Sequence, residues 1–262
     1  MSMKTSNLFG KGFIIIVFTL TYLPILSLVI FSFNSGRSLV RWSGFSLEWY
    51  VKLFQSREIM TAVFITFLVA IISTAISTVI GTFAAISLTK TKKALREISL
   101  SANNIPIVNP EIVTAIAFFV LFGAFAIERG MLTMILAHIA FSTPYVVITV
   151  YPKVRNLDPN LAHAAHDLGA TPFQALYKVI LPQIKIGIIA GAAIAFTMSF
   201  DDFVISYFAV SGSAIKNISI YLYTLKRGVE PTINALSTLI ILVIGTKIAY
   251  DYIRSGKKHT EE

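Results

Sequence analysis

Two groups of side chains in this sequence could do chemistry. One is Asp201-Asp202, within SFDDFVISYF. The other is His163, His166 and Asp167, within LAHAAHDLGATPFQALYKVILP at 161–182. Adjacent carboxylates flanked by Phe200, Phe203 and Tyr207 suit a cationic solute, through charge pairing and contact with aromatic faces. Two histidines three residues apart on a helix could share a metal ion. A metal site needs three or four ligands and a supporting shell, however, and the remaining histidines, His138 and His259, are not placed to help. The sequence contains no GxxxxGK[ST] phosphate loop and no zincin or serine-protease motif. The two aspartates are adjacent, whereas an intramembrane aspartyl protease needs them on different helices.

The elements that must position these residues follow from composition. Of the 262 residues, 55% are hydrophobic and only 13% are charged, with mean hydropathy +0.75. A soluble domain would carry about 25% charged residues. Six apolar segments, 12–33, 60–89, 106–127, 131–151, 184–210 and 233–253, can each cross a hydrocarbon core about 30 Å thick. The prediction is an all-α integral membrane protein with six transmembrane helices. The first segment is too long for a signal peptide and reads as an uncleaved anchor. Cysteine is absent, which excludes disulfides and thiolate chemistry.

The net charge of +9 belongs to topology rather than nucleic acid, because no soluble basic module accompanies it. Lys and Arg gather at 90–96, in the fourth-to-fifth connection and at 254–258. Both termini and the 152–183 loop are therefore expected on the cytoplasmic side. Outside, Ser46 is a candidate N-cap for a short interfacial helix with Leu47, Tyr50, Val51 and Phe54 at helical spacing, near Trp42 and Trp49. Ile218, Tyr221, Leu222 and Leu225 repeat the pattern before Lys226-Arg227-Gly228.

A lone carboxylate in a span costs at least about 2.5 kcal/mol on insertion scales. Asp201 and Asp202 therefore need an interior face or a watered path. On a continuous helix they would point about 100° apart, so one could line a pathway while the other pairs with a neighbouring helix. A purely structural pair is the alternative. Glu111, after Asn109-Pro110, reads as a first-turn acid favoured by the helix dipole.

The 161–182 stretch carries strong local signals. Asp158-Pro159 gives an N-cap with Pro at the first helical position. Leu161, Ala164, Ala165 and Leu168 form an apolar stripe, and Gly169 suits the left-handed C′ position. Thr171-Pro172-Phe173-Gln174 matches a capping box. A second helix is expected to run until Pro182 stops it.

The spacing His163-Ala164-Ala165, Gly169, Val179, Leu181-Pro182 resembles the EAA loop of ABC importer permeases. The departure is His163, which stands where that family has Glu. TYLPI, FSFNSGR, HIAFSTPYVVITVY and FDDFVISYF are similar to segments of the spermidine/putrescine permeases of this class, so the likeness covers nearly the whole chain. The resemblance implies a type I (MetI-like) ABC importer permease fold in one domain, 1–262, with a core at 59–254. It implies that His163, Ala164, Ala165, Asp167, Gly169, Leu181 and Pro182 couple to an ATPase, and that Asp201, Asp202, Phe203 and Tyr207 border the substrate pathway. The expected partners are a second, homologous permease, two ATPase subunits, an extracytoplasmic polyamine-binding protein and the lipid bilayer of a bacterial cytoplasmic membrane. ATP-Mg would bind the ATPase, leaving this chain without cofactor or catalysis. A permease for another small solute, and an ion-coupled carrier using the Asp pair, are the alternatives.

Overall fold

The computed structural model describes residues 3–38, 40–158, 160–225 and 231–258, without the side chains of 3–9, 162 and 251–258. The expectations placed on Pro159, His259 and Lys226-Arg227-Gly228, and on the side chains near the C-terminus, lie outside the described residues. The chain forms two compact units. One joins residues 1–60 to 225–262, and the other is 61–224.

In the first unit, α1 (Met3–Phe31) contributes an apolar stretch, Gly10–Phe31, whose side chains are mostly exposed. Asn34 organises the turn after it. Its side-chain amide donates to the carbonyls of Ser38 and Arg41, and its Oδ1 accepts from Ser43 N–H. The predicted interfacial helix is α2 (Glu48–Gln55), with Ser46 Oγ accepting from Glu48 N–H. Its inward residues are Trp49 and Leu53. The predicted face is the outward one: Leu47, Val51 and Phe54 are exposed. The indole explains the choice, because burying Trp49 brings its Nε1 within 2.6 Å of the Asn34 carbonyl and so satisfies the polar end of a large apolar ring. The C-terminal helix of this unit, Pro231–Lys258, packs against α2 and α1.

The second unit takes in most of α3 (Arg57–Lys90), then α4 (Lys93–Val108), α5 (Glu111–Ala124) and α6 (Met131–Arg155). The predicted third span, 106–127, is bent. α4 and α5 meet at 103°, because Pro110 forces Asn109 out of the helical region (ψ 143°). The connection that follows α6 holds α7 (Asn160–Asp167), α8 (Pro172–Ala175), a π-helical turn at Leu176–Ile180 and α9 (Leu181–Gln183). Next come α10 (Lys185–Phe200), α11 (Val204–Ala209) and α12 (Ile218–Tyr223); Pro231–Lys258 is then α13. α6 is the central strut, with α10 along one side. Gly81 of α3 lets two backbones approach: a Cβ there would lie 2.7 Å from Val146 of α6.

Among the described residues, four helices are long and apolar enough to cross a membrane, and the count reaches six if each bent pair is one span. The predicted fifth span, 184–210, is two helices rather than one, interrupted at 201–203 between α10 and α11.

Candidate functional site

The break in the fifth span changes the reading of the acidic pair. Asp201 and Asp202 do not project from one continuous helix, because Asp201 is the C-cap of α10 and Asp202 precedes α11. Their environments differ sharply. Asp201 is exposed, while Asp202 is 5% exposed. The Asp202 carboxylate accepts from the amide N–H groups of Ile205 (3.1 Å) and Ser206 (2.7 Å). This is the work of an N-cap: it satisfies orphan donors at the start of α11.

A buried polar chain fixes the break. His138, on α6 and fully buried, places Nδ1 2.8 Å from Ser199 Oγ, Nε2 2.9 Å from Ser206 Oγ and Nε2 3.4 Å from Asp202. Ser199 Oγ in turn lies 3.0 Å from Ser73 Oγ of α3. Ser73 donates its one hydroxyl hydrogen to the Val69 carbonyl, so Ser199 must donate to Ser73, and His138 Nδ1 must donate to Ser199. Asn217 closes the ring. Its amide donates to Ser206 Oγ and to the Asp202 carbonyl, while its Oδ1 caps α12 at Ile220 N–H. Four helices and a loop thus meet at the interruption, with its buried polar groups partnered.

The exposed side of the break is acidic and aromatic. Glu111, in the first turn of α5 as the sequence predicts, approaches the Asp202 carboxylate and has Asp201 nearby. Phe203 lies 5.6 Å from Tyr207 and 5.0 Å from Tyr223, and the two tyrosine rings are 5.6 Å apart. Tyr207 and Tyr223 are exposed. The structure thus brings together Asp201, Asp202, Phe203 and Tyr207, and adds Glu111, Tyr223, His138, Ser199 and Asn217, which the sequence reading did not place here. Two signals for these were present: a histidine inside an apolar span, and an Asn before an apolar run.

The loop site lies elsewhere in the same unit. Asp158 Oδ1 accepts from Asn160 N–H at 2.9 Å, starting α7. Gly169 has φ +80°, and the bonds from Gly169 N–H to the His166 carbonyl and from Ala170 N–H to the Ala165 carbonyl form a Schellman motif. Thr171 and Gln174 exchange side-chain and backbone bonds, closing the predicted capping box with Pro172 first in α8. The apolar stripe is narrower than expected. Leu161 and Ala165 turn inward, whereas His163, Ala164, Asp167 and Leu168 are exposed. Pro182 does not stop the helix. It sits in α9, which runs through Gln183, and the bend of 72° falls at Ile184. The π turn just before supplies the slack that a proline inside a helix requires. His163, His166 and Asp167 do not converge on a metal: among the described residues no group of three metal-ligating side chains exists.

Residues 77–259 match the family described as the binding-protein-dependent transport system inner membrane component. The putrescine transport system permease protein PotI of Escherichia coli K12 is 37% identical over 236 residues, 87% of this chain and 84% of the relative. The spermidine/putrescine transport system permease protein PotC of the same organism is 34% identical over 238 residues, covering 90% of each. Among solved structures, the fold resembles a chain of a bacterial ABC transporter that imports alginate, with TM-score 0.71 and 14% identity over 97% of both chains. It also resembles a chain of an amino acid ABC transporter, with TM-score 0.54 and 19% identity over 79% of this chain and 95% of that one. The all-helical architecture is the ABC importer permease fold, and the chain is a multi-pass inner-membrane protein. With a family match across most of its length and relatives more than a third identical along it, the chain belongs to the inner membrane components of binding-protein-dependent transport systems.

Proposed function

We propose that this chain is a permease subunit of an ATP-driven polyamine importer and forms half of the translocation pore. The observation that carries the reading is the interruption at 201–203. It leaves Asp201 exposed beside Glu111, with an aromatic cluster of Phe203, Tyr207 and Tyr223 next to it. Linear polycations are recognised by this combination of spaced carboxylates and aromatic faces. The C-terminal end of α10 also points its negative dipole end at the break. The transported substrates printed in the names of PotI and PotC are of this class.

In this account the pair divides its labour. Asp201 meets the passing ammonium groups, and Asp202 holds the break open by capping α11. The whole chain acts as one permease domain. Its partners are a second, similar permease, two ATPase subunits and a polyamine-binding protein outside. Both termini and the 158–182 loop face the cytoplasm, as the Lys and Arg distribution supports. His163, Ala164, Ala165, Asp167, Gly169, Leu181 and Pro182 belong to the segment offered to the ATPase. Magnesium-bound ATP is held and hydrolysed there, not on this chain. Closure of the ATPases moves the loop helices as rigid bodies and exposes the pathway to the outside.

An interrupted helix with carboxylates is also what an ion-coupled carrier would use, and dependence on an ATPase separates the two. The test is uptake of radiolabelled spermidine and putrescine by cells lacking other polyamine importers, with and without this gene and its ATPase. Uptake requiring both is expected. Uptake that persists without the ATPase would contradict the coupling, and failure to import either polyamine would move the substrate to another small solute.

A further inference from the structure

Behind the loop, the ends of several helices of the second unit enclose a cavity of about 300 Å³, at the lower end of the range for small-molecule sites. Its walls are Ile86, Tyr151, Val154, Leu161 and Ile180, all apolar bodies. Its charged groups are Lys90, Arg96, Arg155 and Asp158. Asp158 is already engaged, because its carboxylate caps α7 at Asn160 N–H. Among the described residues, none of the three cations has a carboxylate within ion-pair distance. Three cations against one occupied carboxylate leave a site of positive charge over an apolar floor.

The ordinary explanation covers two of them. Lys90 is the last residue of α3 and Arg155 the last of α6, where a cation offsets the negative end of the helix dipole. Arg96 is different. It lies in the first turn of α4, whose N-cap is Lys92, so it faces the positive end of that dipole. It is also half-buried. A half-buried guanidinium at the wrong end of a helix, beside two further cations, would be offset by an anion from outside the chain. Guanidinium groups bind phosphate oxygens in a bidentate fork. The helix ends that supply Lys90 and Arg155 terminate two apolar spans, the level at which phospholipid headgroups sit.

We propose that this cavity binds the phosphate of an anionic phospholipid headgroup, with Arg96, Arg155 and Lys90 on the phosphate and the apolar wall against the glycerol and first methylenes. Because Asp158 and Leu161 begin the loop and Ile180 ends its π turn, an occupied site braces the loop from behind. The proposal does not depend on which solute is transported.

The test uses the full chain in nanodiscs of phosphatidylcholine doped with phosphatidylglycerol, with retained lipids counted by native mass spectrometry. Phosphatidylglycerol is expected to be retained over phosphatidylcholine. The double variant Arg96→Gln, Arg155→Gln is expected to lower that preference about thirty-fold, at about five-fold per cation. Arg96→Lys, which keeps the charge, should retain most of it. Arg155→Gln alone, at an exposed position, should give a partial loss and guards against misfolding of the double variant. Displacement of the lipid by millimolar inorganic phosphate would assign the same phosphate chemistry to a free anion. Equal retention by wild type and both glutamine variants would overturn the proposal. So would loss of the lipid when ATPase subunits are added, since the cations would then serve a protein surface.

Discussion

The break in the fifth span and the 158–183 loop are both shaped by hydrogen bonds, but of opposite kinds. The loop is built from neighbours: its capping bonds join residues two to five positions apart, as in Asp158 to Asn160 and Ala165 to Ala170. The break is built from strangers: Ser199 meets His138 and Ser73, 61 and 126 positions away. The loop turns several side chains outward, with Leu168 89% and Phe173 74% exposed. The break hides its polar chain and exposes Asp201, Glu111 and the tyrosines. A locally encoded shape can move as a unit without unfolding, whereas a site stitched across four helices changes only when those helices do.

The largest effect is expected at Asp202. Asp202→Ala removes the acceptor for two buried amides and the carboxylate facing His138. A loss of about 3 kcal/mol is expected, read as a lower thermal unfolding temperature in detergent. Asp202→Asn keeps an oxygen for one amide and should cost about 1 kcal/mol. Equal, negligible losses would show that the break is held by something else. In the loop, Gly169→Ala places a Cβ at φ +80°, costing about 1 kcal/mol. That cost falls on loop order, so ATP hydrolysis should become less dependent on substrate while the melting temperature of the bundle holds. Thr171→Ala removes one side of the capping box, worth about 0.5–1 kcal/mol, and should speed amide exchange at Gln174 without affecting α10. His163→Glu sits on an exposed face and should change stability by less than about 0.5 kcal/mol. Its effect is expected only in substrate-stimulated ATP hydrolysis.

This contrast also explains what could be read from the sequence. The caps at Asp158, Gly169 and Thr171 were legible because each depends on residue types at fixed short offsets. Pro182 misled for a related reason: the rule that proline ends a helix omits the π turn at 176–180 that accommodates it. Four spans were legible from apolar runs, but not the 103° break after Val108 or the interruption at 201–203. That interruption arises because Asp202, His138, Ser199 and Asn217 satisfy the backbone and side-chain groups it leaves free, and two of these, His138 and Asn217, lie on other elements. The inward turn of Trp49 and Leu53 was not legible for a similar reason. Helical spacing marked the face of Leu47, Tyr50, Val51 and Phe54, and the Asn34 carbonyl, 15 positions from Trp49, turned the indole side inward instead.

Under the proposed function, cationic substrate passes Asp201 while Asp202 is structural. The most direct measurement is radiolabelled spermidine uptake by the single variants Asp201→Asn and Asp202→Asn, at matched membrane levels and with melting temperatures recorded. Loss of one charge-assisted contact predicts about a ten-fold or greater fall for Asp201→Asn at unchanged melting temperature. Asp202→Asn should instead lose stability, with uptake falling only as folded protein falls. Wild-type uptake by Asp201→Asn would contradict the account.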